Sequence, residues 1–315
     1  MKKEQIIIFG IGGYSLTSDE INLFKNNIQK IAGFILFSRN VKSRKQIIEL
    51  TKSLKSLSPN IKIFVDQEGG RVARIKPPII EALYPSAERL SLKYQIDKAN
   101  TEQKIYDSYF SLMSDLKALG IDSPCAPMCD IRYDGASNVI GDRSFGDNAN
   151  QVIDLCKSAI DGILSAEGIP FIKHIPGHGR ALLDSHLDLP VVDASLEDLK
   201  ESDFKVFKEL SKKQVWGMTA HIVYNAIDPT LPATISRKVI SYIRNEIDFN
   251  GILVSDDICM HALHGQIAHD NLKESKQEFI KSLCKVTTNA LSAGCDIVLH
   301  CSGKIEEMHA ICDVV

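Results

Sequence analysis

Short apolar runs rich in Ile, Val and Phe alternate with longer segments of helical period along almost the whole sequence. The strand-like runs are residues 5–11, 33–38, 61–66, 123–131, 169–174, 215–221, 251–256 and 295–300. The connections between run and helix are short, and a parallel neighbour requires a crossover, so the strands should pair in parallel. Eight such units predict an α/β fold in which residues 1–315 form one domain, a single (β/α)8 TIM barrel.

The helical segments carry recognisable start and stop signals. Segments at residues 43–57, 150–168 and 236–249 have amphipathic spacing, and several open on Ser or Asn, which can cap free backbone N–H groups. Three segments end in AEG, ALG and SAG (166–168, 118–120 and 292–294), which predicts a left-handed glycine at each C-terminus. Residues 77–100 fit the alternation least and predict a long loop with one short helix.

An open, doubly wound sheet is the main alternative fold. Such a sheet normally places a glycine-rich phosphate turn after its first strand. The segment GIGGYS (10–15) lacks the GxGxxG spacing, and no helix start follows until SDE (18–20). The sequence therefore does not support dinucleotide binding.

Composition and charge narrow the class of protein. The chain has 37 Lys and Arg against 40 Asp and Glu, a net charge of -3, without the basic excess of a nucleic-acid-binding protein. No apolar stretch approaches the ~20 residues of a membrane span, and the N-terminal run IIIFGIG is too short for a signal peptide. The eight cysteines include no CxxC pair, so we expect free thiols in a reducing cytoplasm. Cys125 and Cys129 are only weak candidates for metal ligands.

Charged and imidazole side chains follow seven of the eight predicted strands. They lie in SRN (38–40), DQEGGRVAR (66–74), DIR (130–132), KHIPGHG (173–179), AHIVY (220–224), SDDICM (255–260) and HCSG (300–303). In a parallel barrel these strand ends meet at one mouth, where barrel enzymes build their sites. Each residue alone has an ordinary structural explanation, but burying so many ionisable groups without a function would be costly.

Two kinds of chemistry fit this set of side chains. Several carboxylates (Asp66, Glu68, Asp130, Asp256 and Asp257) beside several imidazoles suit glycosidic bond cleavage, which needs a nucleophile and a separate proton donor. A metal-dependent hydrolase is the rival. The HxxxH spacing of His174 and His178 would face one way on a helix, but the intervening IPG prevents a helix there.

The motifs together resemble family 3 glycoside hydrolases, specifically the single-domain bacterial β-N-acetylglucosaminidases (β-hexosaminidases) of peptidoglycan recycling. The resemblance covers most of the chain, in order, and rests on GFILFSRN (33–40), VDQEGGRVAR (65–74), APMCDI (126–131), GDRSFG (141–146), KHIPGHG (173–179), DSHLDLP (184–190), MTAHIVY (218–224), PATISRKVI (232–240), GILVSDDICM (251–260) and AGCDIVL (293–299). It implies that residues 1–315 are the N-terminal-type catalytic barrel domain of that family.

The resemblance also implies roles for individual residues. Asp256 would be the nucleophile that forms a covalent glycosyl-enzyme intermediate, His186 the acid/base, and Asp184 the carboxylate that orients His186. A set of five residues would hold the hydroxyls and acetamido group of the sugar: Asp66, Arg74, Arg143, Lys173 and His174. The alternative for Arg74 and Arg143 is an ion pair with Asp66 or Asp130 that only braces the barrel mouth.

The sequence departs from the family pattern at a few positions. Arg180 and Ala181 stand where an acid and a threonine usually follow PGHG, on the loop that leads to His186. Asp248 occupies the place of a usual glycine before the seventh predicted strand. The first departure would affect the loop that carries the expected acid/base, His186. The second would affect only the end of a helix.

From these features we expect a cytoplasmic, retaining exo-β-N-acetylglucosaminidase that removes terminal GlcNAc from muropeptides. No metal, organic cofactor, nucleic acid or membrane is expected to take part, and the chain is expected to act as a monomer. Three alternatives stay open: a β-glycosidase of broader specificity in the same family, a metal-dependent hydrolase on the same barrel, and a sugar-binding barrel without catalysis.

Overall fold

The computed structural model describes residues 4–183, 189–264 and 273–315. Its centre is a seven-stranded sheet in which every pairing is parallel. The strands are β1 (Ile7–Gly10), β2 (Ile31–Leu36), β3 (Lys62–Val65), β6 (Phe171–Ile175), β8 (Trp216–Thr219), β10 (Leu253–Asp257) and β11 (Ile297–His300). Two short pairs lie outside the sheet: β4 (Gln67–Gly69) with β5 (Val72–Ala73), and β7 (Val191–Val192) with β9 (Val223–Tyr224). The predicted α/β class is confirmed.

The sheet order is β3-β2-β1-β11-β10-β8-β6, so the first strand of the chain pairs with the last. Ile8 of β1 stands beside Leu299 of β11. The sheet is curved, because side chains from its two edge strands meet: the rings of Phe64 on β3 and Phe171 on β6 are 5.8 Å apart. Trp216 packs against both of these rings at 5.5 Å.

The predicted fourth strand, residues 123–131, is an irregular segment, which corrects the sequence expectation. It still contacts both edge strands: Val65 N–H donates to the carbonyl of Ser123 (3.1 Å), and Phe171 N–H donates to that of Ala126 (2.8 Å). Pro124 and Pro127 lack the N–H groups that a regular ladder needs. Only isolated bridges form here.

The helices surround the sheet. They are α1 (Ser18–Asn26), α2 (Arg44–Lys55), α3 (Ala87–Ser91), α4 (Lys98–Ala118), α5 (Ala149–Ser165), α6 (Leu196–Glu201), α7 (Asp203–Leu210), α8 (Arg237–Asn245), α9 (Lys273–Ala293) and α10 (Ile305–Val314). Ser43 caps α2 and Ser236 caps α8 by accepting from Gln46 N and Val239 N. The three predicted helices and the short helix within 77–100 are therefore present. Within the described ranges, no helix combines the length and the apolar character needed to cross a membrane.

Two of the three predicted left-handed glycines are confirmed, and the third is wrong. Gly120 has φ +82° and Gly294 has φ +118°. In AEG the left-handed residue is Glu167 (φ +58°). Gly168 is required for a different reason, because a Cβ there would lie 2.4 Å from the sulfur of Met113.

The apolar core has two parts. The larger fills the space between the sheet and the helices, and the smaller lies on the other face of the sheet strands, with members such as Ile8, Ile35, Phe64 and Val254. The expected free thiols are confirmed: all eight cysteines are unpaired, five of them buried and three partly exposed. The two parts of the apolar core leave the carboxyl ends of the strands open for polar side chains.

Candidate active site

A cleft of about 630 Å3 opens where the carboxyl ends of the strands meet. Six of the eight predicted site residues line it: Asp66, Arg74, Arg143, Lys173, His174 and Asp256. The other two, Asp184 and His186, lie outside the described residues, so their predicted roles stay predictions. The fold thus brings together residues that are up to 190 positions apart in the sequence.

Strand ends and short turns position these side chains. Asp66 directly follows β3, Lys173 and His174 belong to β6, and Asp256 is the fourth residue of β10. Arg74 and Arg143 come from loops: Arg74 follows the short β4–β5 pair, and Arg143 ends a 3-10 turn at Gly141–Arg143. Parallel strands with polar residues at their carboxyl ends therefore account for most of the cleft wall.

Glu68 lies at the centre of a buried network of ions in this wall. Its carboxylate receives two hydrogen bonds from Arg143, from Nε (2.9 Å) and Nη2 (2.8 Å), and lies 2.7 Å from Lys173 Nζ. The side chains of Glu68, Arg143 and Lys173 are 5%, 11% and 3% exposed. The sequence analysis counted Glu68 among the strand-end carboxylates but did not place it in the site.

Burial alone would raise the pKa of Glu68, but the charges and hydrogen bonds of Arg143 and Lys173 outweigh burial and hold that pKa well below its usual range. Burial likewise opposes the charge on Lys173, yet Glu68 and Asp66 raise the pKa of Lys173 above its ordinary value. The three groups are therefore all ionised at neutral pH. The alternative expected for Arg143 from sequence was an ion pair with Asp66 or Asp130. That expectation is corrected, because the ion-pair partner of Arg143 is Glu68.

Asp66 is the more accessible carboxylate of the network. It lies 3.2 Å from Lys173 Nζ and 3.4 Å from Arg74 Nη2, and its side chain is 20% exposed to the cleft. The Arg74 pair matches one of the alternatives expected from sequence. Since the carboxylate has two oxygens and several acceptor positions, it can accept hydrogen bonds from a ligand while keeping both cations.

Asp130 holds two histidines, of which His174 lines the cleft. Its Oδ2 lies 2.8 Å from His174 Nδ1, and its Oδ1 accepts a 2.6 Å hydrogen bond from the backbone N–H of His178. Burial would raise the pKa of Asp130, but His174 and His178 lower it, so the carboxylate is ionised and Nδ1 of His174 must be the donor. Asp130 thus fixes the orientation of the His174 ring, and Nε2 of His174 is the ring nitrogen that can contact a ligand.

His178 should make the free energy of unfolding depend on pH. Burial, followed by the charge of nearby His174, lowers its pKa from 6.5 to about 4. Between these values the unfolded chain binds a proton that the folded chain does not, so stability falls as pH drops from 6.5 to 4, by about 1.4 kcal/mol per pH unit at most. We expect His178→Asn to reduce this slope in urea unfolding, compared with His309→Gln at an exposed position. An unchanged slope in His178→Asn would show that the lowered pKa of His178 is not the source of this pH dependence.

The two adjacent acids of β10 both line the cleft but have different surroundings. Asp256 Oδ1 accepts from the backbone N–H of Asp257 (2.7 Å). Asp257 Oδ1 accepts from the backbone N–H groups of Cys259 (3.0 Å) and Cys301 (3.1 Å). Neighbouring strand residues normally point to opposite faces, but the register of β10 against β11 is irregular between Val254 and Asp257. Asp257 therefore joins the loops at Cys259 and Cys301.

The loop after β6 is anchored by one of the departures from the family pattern. Arg180 Nε donates to Asp203 Oδ2 (2.8 Å), its Nη2 donates to Ser202 Oγ (3.0 Å), and its guanidinium lies 4.3 Å from the centre of the Tyr133 ring. Ala181 is 1% exposed. Asp248, the other departure, has φ +60°, a conformation that favours glycine but that Asp tolerates.

Sequence reasoning missed two parts of the site. Glu68 and Asp130 were not predicted as site residues. Each of them contacts residues that were predicted to bind the sugar. Their signal was present, since both acids lie near the carboxyl end of a predicted strand, but their partners come from strands and loops distant in sequence. Only the fold shows which cation or imidazole each acid faces.

Comparison with known proteins identifies the family. The model of the glycosyl hydrolase family 3 N-terminal domain matches residues 15–315. A β-hexosaminidase of Alkalilimnicola ehrlichii is 35% identical over 299 residues, which cover 94% of this chain and 80% of that protein. One of Shewanella frigidimarina is 34% identical over 278 residues, covering 88% and 76%. NagZ from Neisseria gonorrhoeae, solved with N-trifluoroacetyl-D-glucosamine, superposes with a TM-score of 0.86 at 30% identity, covering 98% and 85%. The chain belongs to glycosyl hydrolase family 3.

Proposed function

We propose that this chain is a retaining exo-β-N-acetylglucosaminidase. The observation that carries the proposal is the cleft, which Asp256 lines together with oppositely charged side chains such as Glu68, Arg143 and Lys173. The chain also matches the family 3 model. The β-hexosaminidases and the NagZ structure with a glucosamine derivative support the sugar. We also propose that the irregular segment 123–131 takes the place of the fourth barrel strand and closes the (β/α)8 barrel around this cleft, with residues 1–315 as one domain.

In the proposed reaction, a carboxylate oxygen of Asp256 attacks the anomeric carbon as the glycosidic bond breaks. The bonding electrons go to the leaving oxygen, which takes a proton from His186, while Asp184 orients and polarises the imidazole. The resulting glycosyl-aspartate is then hydrolysed by water, and the proton returns to His186. Histidine thus replaces the second carboxylate of the usual retaining scheme.

The five predicted sugar contacts have complementary hydrogen-bonding roles. Asp66 accepts from hydroxyl groups, while Arg74 and Lys173 donate to oxygens, and hydrogen bonds to charged groups are about twice as strong as neutral ones. Nδ1 of His174 is bonded to Asp130, so Nε2, on the opposite edge of the ring, is the nitrogen offered to the sugar. Arg143 still has N–H groups beyond the three that bind Glu68 and the carbonyl of Val139 (3.0 Å).

We propose muropeptides from peptidoglycan recycling in the cytoplasm as the substrate, hydrolysed by a monomer without nucleic-acid or membrane partners. A panel of nitrophenyl β-glycosides tests the specificity. We expect the N-acetylglucosaminide to be hydrolysed with a kcat/KM far above that of the glucoside and xyloside. Comparable rates would favour the β-glycosidase of broader specificity, and binding without turnover would favour the sugar-binding barrel.

His186→Ala should separate proton transfer from binding. A substrate with a poor alkyl leaving group needs a proton to depart, whereas an activated phenol does not, so we expect the mutation to slow the first substrate far more than the second. Asp184→Asn should act in the same direction but less severely, because the imidazole remains. Steady-state kinetics on both substrates measures the difference. Equal slowing would assign His186 to binding or loop positioning instead.

Chelators should leave the turnover rate unchanged, since the proposed steps use only a carboxylate, an imidazole and water. Activity measured before and after dialysis against dipicolinate, with and without added zinc, tests this expectation. A rate that disappears with chelator and returns with zinc would favour the metal-dependent hydrolase.

A further inference from the structure

A thiol, an imidazole and a carboxylate meet behind the wall that carries Asp256. Cys259 lies two residues after β10, His300 ends β11, and Glu307 is in the first turn of α10. One potential ligand atom from each of the three lies within 4.8 Å of the others. This group, the Cys259–His300–Glu307 cluster, has no role in the proposed reaction.

We propose that this cluster binds a zinc-class divalent cation. Cys, His and Glu are the side chains that zinc prefers, and a thiolate among them excludes hard cations such as magnesium. Ligand atoms around a tetrahedral zinc lie roughly 3.3–3.8 Å apart, given ligand distances of about 2.0–2.3 Å. Closing the present spacing around an ion therefore needs shifts of about 1 Å. Three protein ligands leave the fourth position to water or to a neighbouring hydroxyl.

The His300 ring directs one of its nitrogens at another member of the cluster. The ring is fully buried, and its Nε2 lies 2.9 Å from Glu307 Oε2. Its Nδ1 is buried and has no hydrogen-bond partner within the described residues. An ion shared with Glu307 would bind Nε2, on the edge of the ring that faces Glu307 and Ser302, and would replace the present hydrogen bond there.

The surroundings of the cluster supply a possible fourth ligand. Ser302 Oγ lies 2.6 Å from Glu307 Oε2 and 3.1 Å from His300 Nε2, so a hydroxyl is at hand for the fourth position. Lys304 Nζ lies 3.1 Å from Glu307 Oε1, so an ion would share this carboxylate with a lysine. Binding of an ion would release the thiol proton of Cys259 to solvent as the metal–sulfur bond forms.

The cluster lies close to the catalytic wall. The Asp257 carboxylate already joins the backbone of Cys259 to that of Cys301, and Cys301 lines the cleft. An ion at the cluster would join the loop after β10 to β11 and α10 from behind. Its role would thus be to stabilise this wall against unfolding, and the chemical steps would not depend on it. The proposal amends the expectation from sequence, which found no metal ligands, because these three residues share no spacing motif.

Metal binding to the metal-free full-length protein tests the proposal without any measurement of turnover. We expect one zinc to bind in competition with a chromophoric chelator, and cobalt(II) to give a thiolate charge-transfer absorption. Cys259→Ser should abolish that absorption and lower the zinc affinity by more than the roughly 10- to 100-fold cost of removing an outer-shell partner. Glu307→Gln should weaken zinc binding while the thiolate absorption remains.

Two other cysteines provide matched controls. Cys284→Ser, at a partly exposed thiol on α9, should leave both signals unchanged, and so should Cys301→Ser. Zinc should also raise the Tm of the wild type and Cys284→Ser but not that of Cys259→Ser. The proposal is overturned if the wild type gives no thiolate absorption, or if Cys259→Ser keeps the wild-type zinc affinity, which would place the ion elsewhere, such as among the cleft acids.

Discussion

Replacing Asp256 by asparagine should lower kcat by several orders of magnitude while the protein stays folded. The mutation removes the oxygen anion that forms the bond to the anomeric carbon and keeps the size of the side chain. The backbone hydrogen bond from Asp257 N–H can still be accepted by the amide oxygen. Turnover of a nitrophenyl N-acetylglucosaminide and the Tm should be measured on the same preparation.

Asp257→Asn is the matched control for this experiment. Its carboxylate joins the loops at Cys259 and Cys301, so we expect its loss to lower the Tm and to reduce activity less than Asp256→Asn does. In the wild type, a slow 2-fluoro glycoside should leave a covalent adduct on Asp256 that is visible in the intact mass. Asp256→Asn retaining more than a few per cent of wild-type turnover, or an adduct on another residue, would refute the assignment.

Glu68→Gln should lower the free energy of unfolding by about 3–5 kcal/mol, the cost of removing one partner from a buried ion pair. The substitution leaves the charges of Arg143 and Lys173 buried side by side without their shared anion. Because both cations are proposed to contact the sugar, we also expect KM to rise. Urea unfolding and steady-state kinetics measure the two effects.

A surface ion pair gives the comparison for Glu68. Asp161 lies 2.7 Å from Lys213, with side chains 45% and 33% exposed, and an exposed pair contributes at most about 1 kcal/mol. Asp161→Asn should therefore change stability little and leave KM unchanged. If Glu68→Gln proves as mild as Asp161→Asn, Glu68 does not hold the cations of the cleft in place.

Much of the sheet could be predicted from sequence because strand formation here follows a local signal. The runs at residues 5–11 and 295–300 have apolar centres, as expected for parallel strands covered on both faces, and both contain strands of the sheet. The prediction was wrong where the local signal was interrupted. Residues 123–131 are apolar enough for a strand, but their prolines cannot complete its hydrogen bonds.

Sequence by itself determined which residue types reach the cleft, because polar residues at the carboxyl ends of parallel strands must gather at one edge of the sheet. The resemblance to a family added specific expectations for Asp66, Lys173 and Asp256. Only the tertiary structure decided the partners: Glu68 rather than Asp66 or Asp130 for Arg143, Asp130 for His174, and Glu307 for His300. The physical reason is that strand position depends on short-range apolar spacing, whereas ion pairing depends on distances between loops that are remote in sequence and are fixed only when the sheet curves and packs.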